Sequence, residues 1–191
     1  MIPAHGAIVL AAGASTRLGQ AKQLIEIAGE PLLHRVTRFV LATQPLDCVV
    51  VLGHDAARMA SALEGIEVRT LRIDDPDAGM SASLRTGISA LDARCEGALV
   101  VVTDQLGLTA EHLCALCAAW RASPERAAAS AYADVIGVPA VLPRAWFGEI
   151  GRLRGDTGAR ELLRGRGADV VTVAAPELAR DLDAPGDIAI G

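Results

Sequence analysis

The sequence predicts an α/β fold with a mostly parallel central sheet. Three features carry that expectation. Short apolar runs at residues 7–12, 48–52 and 98–103 have the length of buried strands. Helical spacing separates them, so strand and helix alternate along the chain. The chain is 51% hydrophobic but only 3% aromatic, which requires a core of Ala, Val, Leu and Ile and suits strands covered on both faces. A length of 191 residues fits one domain, residues 1–191, with a core of its own.

The first strand, residues 7–12, is bounded by glycine and too short to span a membrane. It runs into a small-residue loop, Gly13, Ala14, Ser15, Thr16 and Gly19, with Arg17 and Lys22 as cations. Such a loop lets backbone amides approach a phosphate, although an ordinary strand-to-helix connection has the same composition. Its spacing is neither that of a P-loop nor that of the dinucleotide fingerprint. Seventeen of the eighteen basic residues are arginine, and the one lysine is Lys22. A lysine kept inside a glycine loop points to a site that uses a compact charge.

Pro31 is placed to open a helix reaching about Gln44, with Leu32, Leu33, Val36, Phe39 and Val40 on one face. A strand at residues 48–52, a helix at 55–63 capped by Asp55 and a strand at 67–73 follow. Residues 74–84 break the chain with acidic, proline and glycine residues. Ser81 and Ser83 then lead a helix to about Asp92, as helix caps or as ligand contacts. The strand at 98–103 ends at Asp104, placed either to cap the next helix or to face a ligand beyond the strand end. A helix at 109–121 precedes a hairpin of residues 127–132 and 138–142 that turns at 134–137. Gly155, Asp156 and Gly158 precede a helix bearing Arg160, where amides and a guanidinium meet, or where Asp156 merely caps. A last strand at 170–174 leads to Asp181 and Asp183 in a turn-like segment.

Several function classes are excluded. A net charge of -5 argues against a nucleic-acid partner. The N-terminal apolar run lacks the basic flank of a secretion signal, and no segment reads as a membrane anchor, so the expected address is cytoplasmic. Cys114 and Cys117 form a lone Cys-x-x-Cys without the second ligand pair of a zinc site, and all four cysteines read as core-facing. There is no Gly-x-Ser-x-Gly elbow.

Residues 10–33, LAAGASTRLGQAKQLIEIAGEPLL, resemble the signature of the MobA-like nucleotidyltransferases, with Arg17, Gly19, Lys22, Gly29, Pro31 and Leu32 on the pattern. Gly79, Met80, Ser83 and Leu84 resemble that family's Gly-Met-x-x-Ser-Leu segment, and Gly137-Val138-Pro139 its Gly-x-Pro. GDTGAR from Gly155 and DLDAPGDI from Asp181 extend the likeness over residues 7–188. Where the family has Asp-Gln-Pro, this chain has Asp104-Gln105-Leu106, which puts the rigidity of that loop in question.

The resemblance implies a Rossmann-like three-layer sandwich of the nucleotide-diphospho-sugar transferase type. It implies transfer of a nucleotidyl group from a nucleoside triphosphate with Mg²⁺ as cofactor. Arg17, Lys22 and Asp104 would be catalytic. Leu10, Ala11, Ala12, Gly13, Ser15, Gly19, Lys22, Gly79, Met80 and Ser83 would bind the nucleotide, and Asp104 and Asp183 the metal. Gly137, Pro139, Asp156 and Arg160 would bind the acceptor. The LAAG sequence resembles members that use CTP rather than the LAGG of those using GTP. The expected pair is therefore CTP with a molybdopterin-type acceptor, handed on to a molybdoenzyme client. Guanylyl transfer to the same cofactor, cytidylyl transfer to a sugar or polyol phosphate, and non-catalytic cofactor delivery are the alternatives.

Overall fold

The computed structural model describes residues 2–13, 20–75 and 78–179. Strand β1 (His5–Ala11) is followed by a two-residue ribbon, β2 (Glu26–Ile27) and β3 (Glu30–Pro31). Then come α1 (Leu32–Leu41), β4 (Asp47–Leu52), α2 (Ala56–Ser61), β5 (Arg69–Arg72), α3 (Met80–Ala90), β6 (Gly97–Val102) and α4 (Ala110–Ala122). Strands β7 (Ala127–Tyr132) and β8 (Val135–Pro143), helices α5 (Phe147–Ile150) and α6 (Ala159–Arg164), and β9 (Val170–Ala174) complete the described strands and α-helices.

Seven strands form one sheet in the order β5-β4-β1-β6-β8-β7-β9. Neighbours run parallel except where β8 lies antiparallel to both β6 and β7. The mostly parallel three-layer sandwich is thus the observed fold. Alternation along β1 sends Ala7, Val9 and Ala11 into one layer, where α1 and α4 contribute Leu33, Val36, Leu113, Leu116 and Trp120. Ile8 goes into the other, with Leu84 and Ile88 of α3 and Leu162 and Leu163 of α6. Both faces of β1 are covered, which explains why its sequence is apolar throughout rather than alternating.

Several boundaries differ from the sequence expectation. Asp55 precedes α2 but makes no side-chain cap bond, and the helix ends at Ser61. The strand expected at 67–73 shrinks to the four residues of β5, an edge strand with most side chains exposed. The hairpin turn is tighter than expected: Ala133 and Asp134 take positive φ (46° and 58°), so β8 begins at Val135 and absorbs Gly137. Thr109 does cap α4, its hydroxyl accepting from the His112 amide. Cys48, Cys95 and Cys117 are buried as expected, but Cys114 of α4 is exposed, its Sγ 3.9 Å from the Ala42 carbonyl. Among the described residues no helix is long and apolar enough to cross a membrane.

Candidate active site

The parallel strands β1 and β6 end side by side, and the chain beyond their carboxyl ends builds a cavity of about 300 Å³. Its lining comes from distant parts of the sequence: Leu10, Ala12 and Gly13 at the exit of β1, Lys22 and Gln23, Gly79, Met80 and Ser83 at the start of α3, Thr103 and Asp104 after β6, and Asp156. Most of the residues singled out for the nucleotide in the described part of the chain therefore do converge. Arg17, Ser15, Gly19 and Asp183 lie outside the described residues.

The centre of the site is an ion pair across 82 residues of sequence, in which Lys22 Nζ donates to Asp104 Oδ2 at 2.6 Å. The two side chains are 16% and 25% exposed, so the pair is shielded yet open to the cavity. Lys22 reaches it from a single 3₁₀ turn, Lys22–Leu24. Gln23, next to it and almost fully buried, had no signal in the sequence. Its amide donates to the carbonyls of Ala11 (3.2 Å) and Gly13 (3.1 Å), gripping β1's exit on both sides of Ala12. Only the pairing across ten residues reveals that role.

Ala11 does not line the cavity. Strand alternation turns its side chain into the α1/α4 layer, and its carbonyl is what Gln23 holds. Gly79 sits at φ 84°, and a Cβ there would lie 2.6 Å from the carbonyl of Gly155. The backbone of the α3 entry thus rests directly on residues 155–156, fastened where the Ser81 amide donates to Gly155 O at 3.1 Å. This contact brings the Asp156 carboxylate into the nucleotide-side cavity, apart from the other residues expected at the acceptor.

Those others form a second group. A side chain at Gly137 would meet Tyr132 Oη at 3.0 Å and Arg160 Cγ at 4.0 Å, so Gly137 and Arg160 are neighbours although 23 residues apart. Pro139 lies two residues on in β8, with its carbonyl accepting from Ser130 Oγ at 2.7 Å. Arg160 is exposed at the first turn of α6, whose entry is closed by Glu161 accepting from the Gly158 amide at 2.8 Å.

Among the described residues no group of three acidic, histidine or cysteine side chains is close enough to cage a metal. Asp104 and Asp156 both face the cavity, however. That donor set fits a hard divalent cation held by one or two carboxylates and completed by phosphate and water oxygens.

Comparison with known proteins agrees with this geometry. The chain is 36% identical over 115 residues to the bifunctional protein GlmU of Sorangium cellulosum, covering 56% of this chain and 24% of that protein. It is 35% identical over 108 residues to a probable molybdenum cofactor guanylyltransferase of Natronomonas pharaonis, covering 56% of this chain and 52% of that one. The chain therefore spans about half or less of the length of these curated relatives. The crystal structure of Rv0371c from Mycobacterium tuberculosis superposes with a TM-score of 0.86 at 25% identity, covering 99% of this chain and 97% of the other. The MobA-like NTP transferase domain matches residues 7–172, from within β1 to within β9. By that match the chain belongs to the MobA-like NTP transferase family.

Proposed function

We propose that the protein transfers CMP from CTP to the phosphate of a molybdopterin-type acceptor, with Mg²⁺ as cofactor and pyrophosphate as the second product. The observation that carries this reading is the Lys22–Asp104 pair lining a cavity that the β1 exit and the α3 start also line. A phosphoryl-type displacement asks little covalent chemistry of a protein, and mostly positioning and neutralised charge. Lys22 supplies a compact cation for the phosphates that leave. Asp104, with Asp156 beside the same cavity, supplies oxygens for the cation, which when bound offsets phosphate charge. Met80, half exposed at the rim, offers a polarizable face to a heterocycle. Gly137, Pro139 and Arg160 supply the acceptor side, where the guanidinium suits a phosphate. An exposed free thiol at Cys114 suits a reducing, cytoplasmic setting.

Cytosine is preferred because Ala12 fills the position at the cavity wall where the resemblance puts glycine in guanine users. A second reading, GTP transfer to the same kind of acceptor, is favoured by the likeness to the Natronomonas guanylyltransferase. The deciding experiment incubates the purified protein with Mg²⁺, molybdopterin and each of the four nucleoside triphosphates and follows pyrophosphate. CTP should give the highest kcat/KM. A CTP-to-GTP ratio below one sinks the cytidylyl reading, and nucleotide binding without pyrophosphate from any of the four sinks the transferase reading.

A further inference from the structure

The two carbonyls at the centre of the Gly137-Val138-Pro139 segment are held by side chains rather than left to solvent. Gln105 Nε2 donates to Val138 O at 3.0 Å and to Tyr132 Oη at 3.1 Å, while Tyr132 Oη donates to the same Val138 carbonyl at 2.9 Å. Ser130 Oγ donates to Pro139 O at 2.7 Å and lies 2.8 Å from His112 Nε2. The Ser130 hydroxyl proton is spent on Pro139, so His112 is the donor in that contact and carries its proton on Nε2. Ser130 is fully buried and Gln105 is 3% exposed.

Gln105 Oε1 is also buried and has no hydrogen-bond partner among the described residues. A side chain present only to fill space would be apolar and would leave no orphan acceptor. The amide is retained for the two bonds that its nitrogen makes. One peptide bond upstream, Asp104 faces the nucleotide cavity, and the Leu108 amide donates back to Gln105 O at 3.1 Å, closing the turn in which Leu106 stands.

We infer that Gln105 is a positioning residue for the second substrate, tying the Gly137–Pro139 segment to the peptide that carries Asp104. The inference rests on the transferase reading above. An in-line displacement needs its reacting atoms within about 3–3.5 Å, so slack between the acceptor segment and the nucleotide cavity lowers productive encounters without disturbing either half alone. The tie runs from the turn after β6 across to the neighbouring strand β8.

The test is Gln105→Met in the whole 191-residue chain, a side chain of similar length that removes both donors together with the orphan acceptor. Tyr132 is the single tyrosine of the chain, so the NMR signal of isotope-labelled tyrosine reports the tie directly. The thermal midpoint should hold within a few degrees and the CTP dissociation constant within about twofold, while the acceptor KM rises about tenfold or more and the tyrosine signal moves. Tyr132→Phe, which leaves the Gln105–Val138 bond, should fall between the wild type and Gln105→Met. The inference is overturned if the acceptor KM is unchanged, or if nucleotide affinity and the midpoint both drop as the acceptor KM rises. A wild type that yields no pyrophosphate overturns the transferase reading instead. The tyrosine signal then still decides the tie, and an unmoved signal in Gln105→Met overturns it.

Discussion

Lys22 and Asp104 neutralise each other at 2.6 Å, and a triphosphate entering the cavity competes for the same lysine. Lys22→Ala should therefore weaken nucleotide binding and slow transfer by about 10²–10³ while the protein stays folded, because the pair lies at the cavity rather than in the core. Asp104→Asn keeps the shape but removes the charge, and should cost more in turnover than in nucleotide affinity. Calorimetric binding beside pyrophosphate release separates the two variants. Normal turnover by the asparagine variant at low Mg²⁺ would make Asp104 a structural residue. These two positions were legible in the sequence, since a lone lysine in a glycine loop and a carboxylate at a strand end each carry a chemical reason. Gln23 and Gln105 were not. Each acts through partners ten to 33 residues away, and glutamine beside a marked residue looks the same whether it grips a carbonyl or faces water.

At the level of elements, the entry of α3 lies against the segment before α6. Gly79→Ala forces a Cβ toward the Gly155 backbone at a φ that favours glycine, at a cost of about 1–3 kcal/mol. For a chain of this size that lowers the thermal midpoint by about 2–12 °C, and nucleotide affinity should fall with it because Met80 and Ser83 follow directly. A midpoint and an affinity both equal to wild type would show that the contact is slack. The alternation of strand and helix through α4 could be read from periodicity, because both faces of those strands are covered and their apolar runs are unbroken. The hairpin was read less well. Its turn is made by Ala133 and Asp134 at positive φ, and alanine gives no warning of a left-handed conformation.

For the molecule as a whole, the response to acid is set far from the cavity. His5 is buried at the start of β1, its Nε2 donating to Thr43 Oγ1 at 2.9 Å while its Nδ1 accepts from Arg121 at 3.2 Å. Burial first, and then the Arg121 charge, push its pKa down to about 4. Burial pushes His112 down as well, against an opposing pull from Glu177. The unfolded chain, with histidine near 6.5, binds protons that the folded chain refuses. Stability is thus complete above that value and is lost as pH falls toward 4, by up to about 3 kcal/mol for His5. Thermal unfolding between pH 7 and 4.5 should show this decline, and His5→Gln should flatten it. An equal decline in the variant would assign the effect to other groups.

Strand β8 has one more consequence, in the order in which the chain is made. It sits between β6 and β7, and among the described residues it is the strand whose ladder hydrogen bonds join β5-β4-β1-β6 to β7 and β9. A nascent chain that has emerged only as far as Val102 can pair four parallel strands, but β6 then presents a bare row of amides and carbonyls to its surroundings. That edge stays open while α4 and β7 are synthesised and closes when residues 97–100 pair with 140–143. Through that interval the β6 edge is open to strand addition from another chain, and a ribosome pausing between β7 and β8 would prolong it.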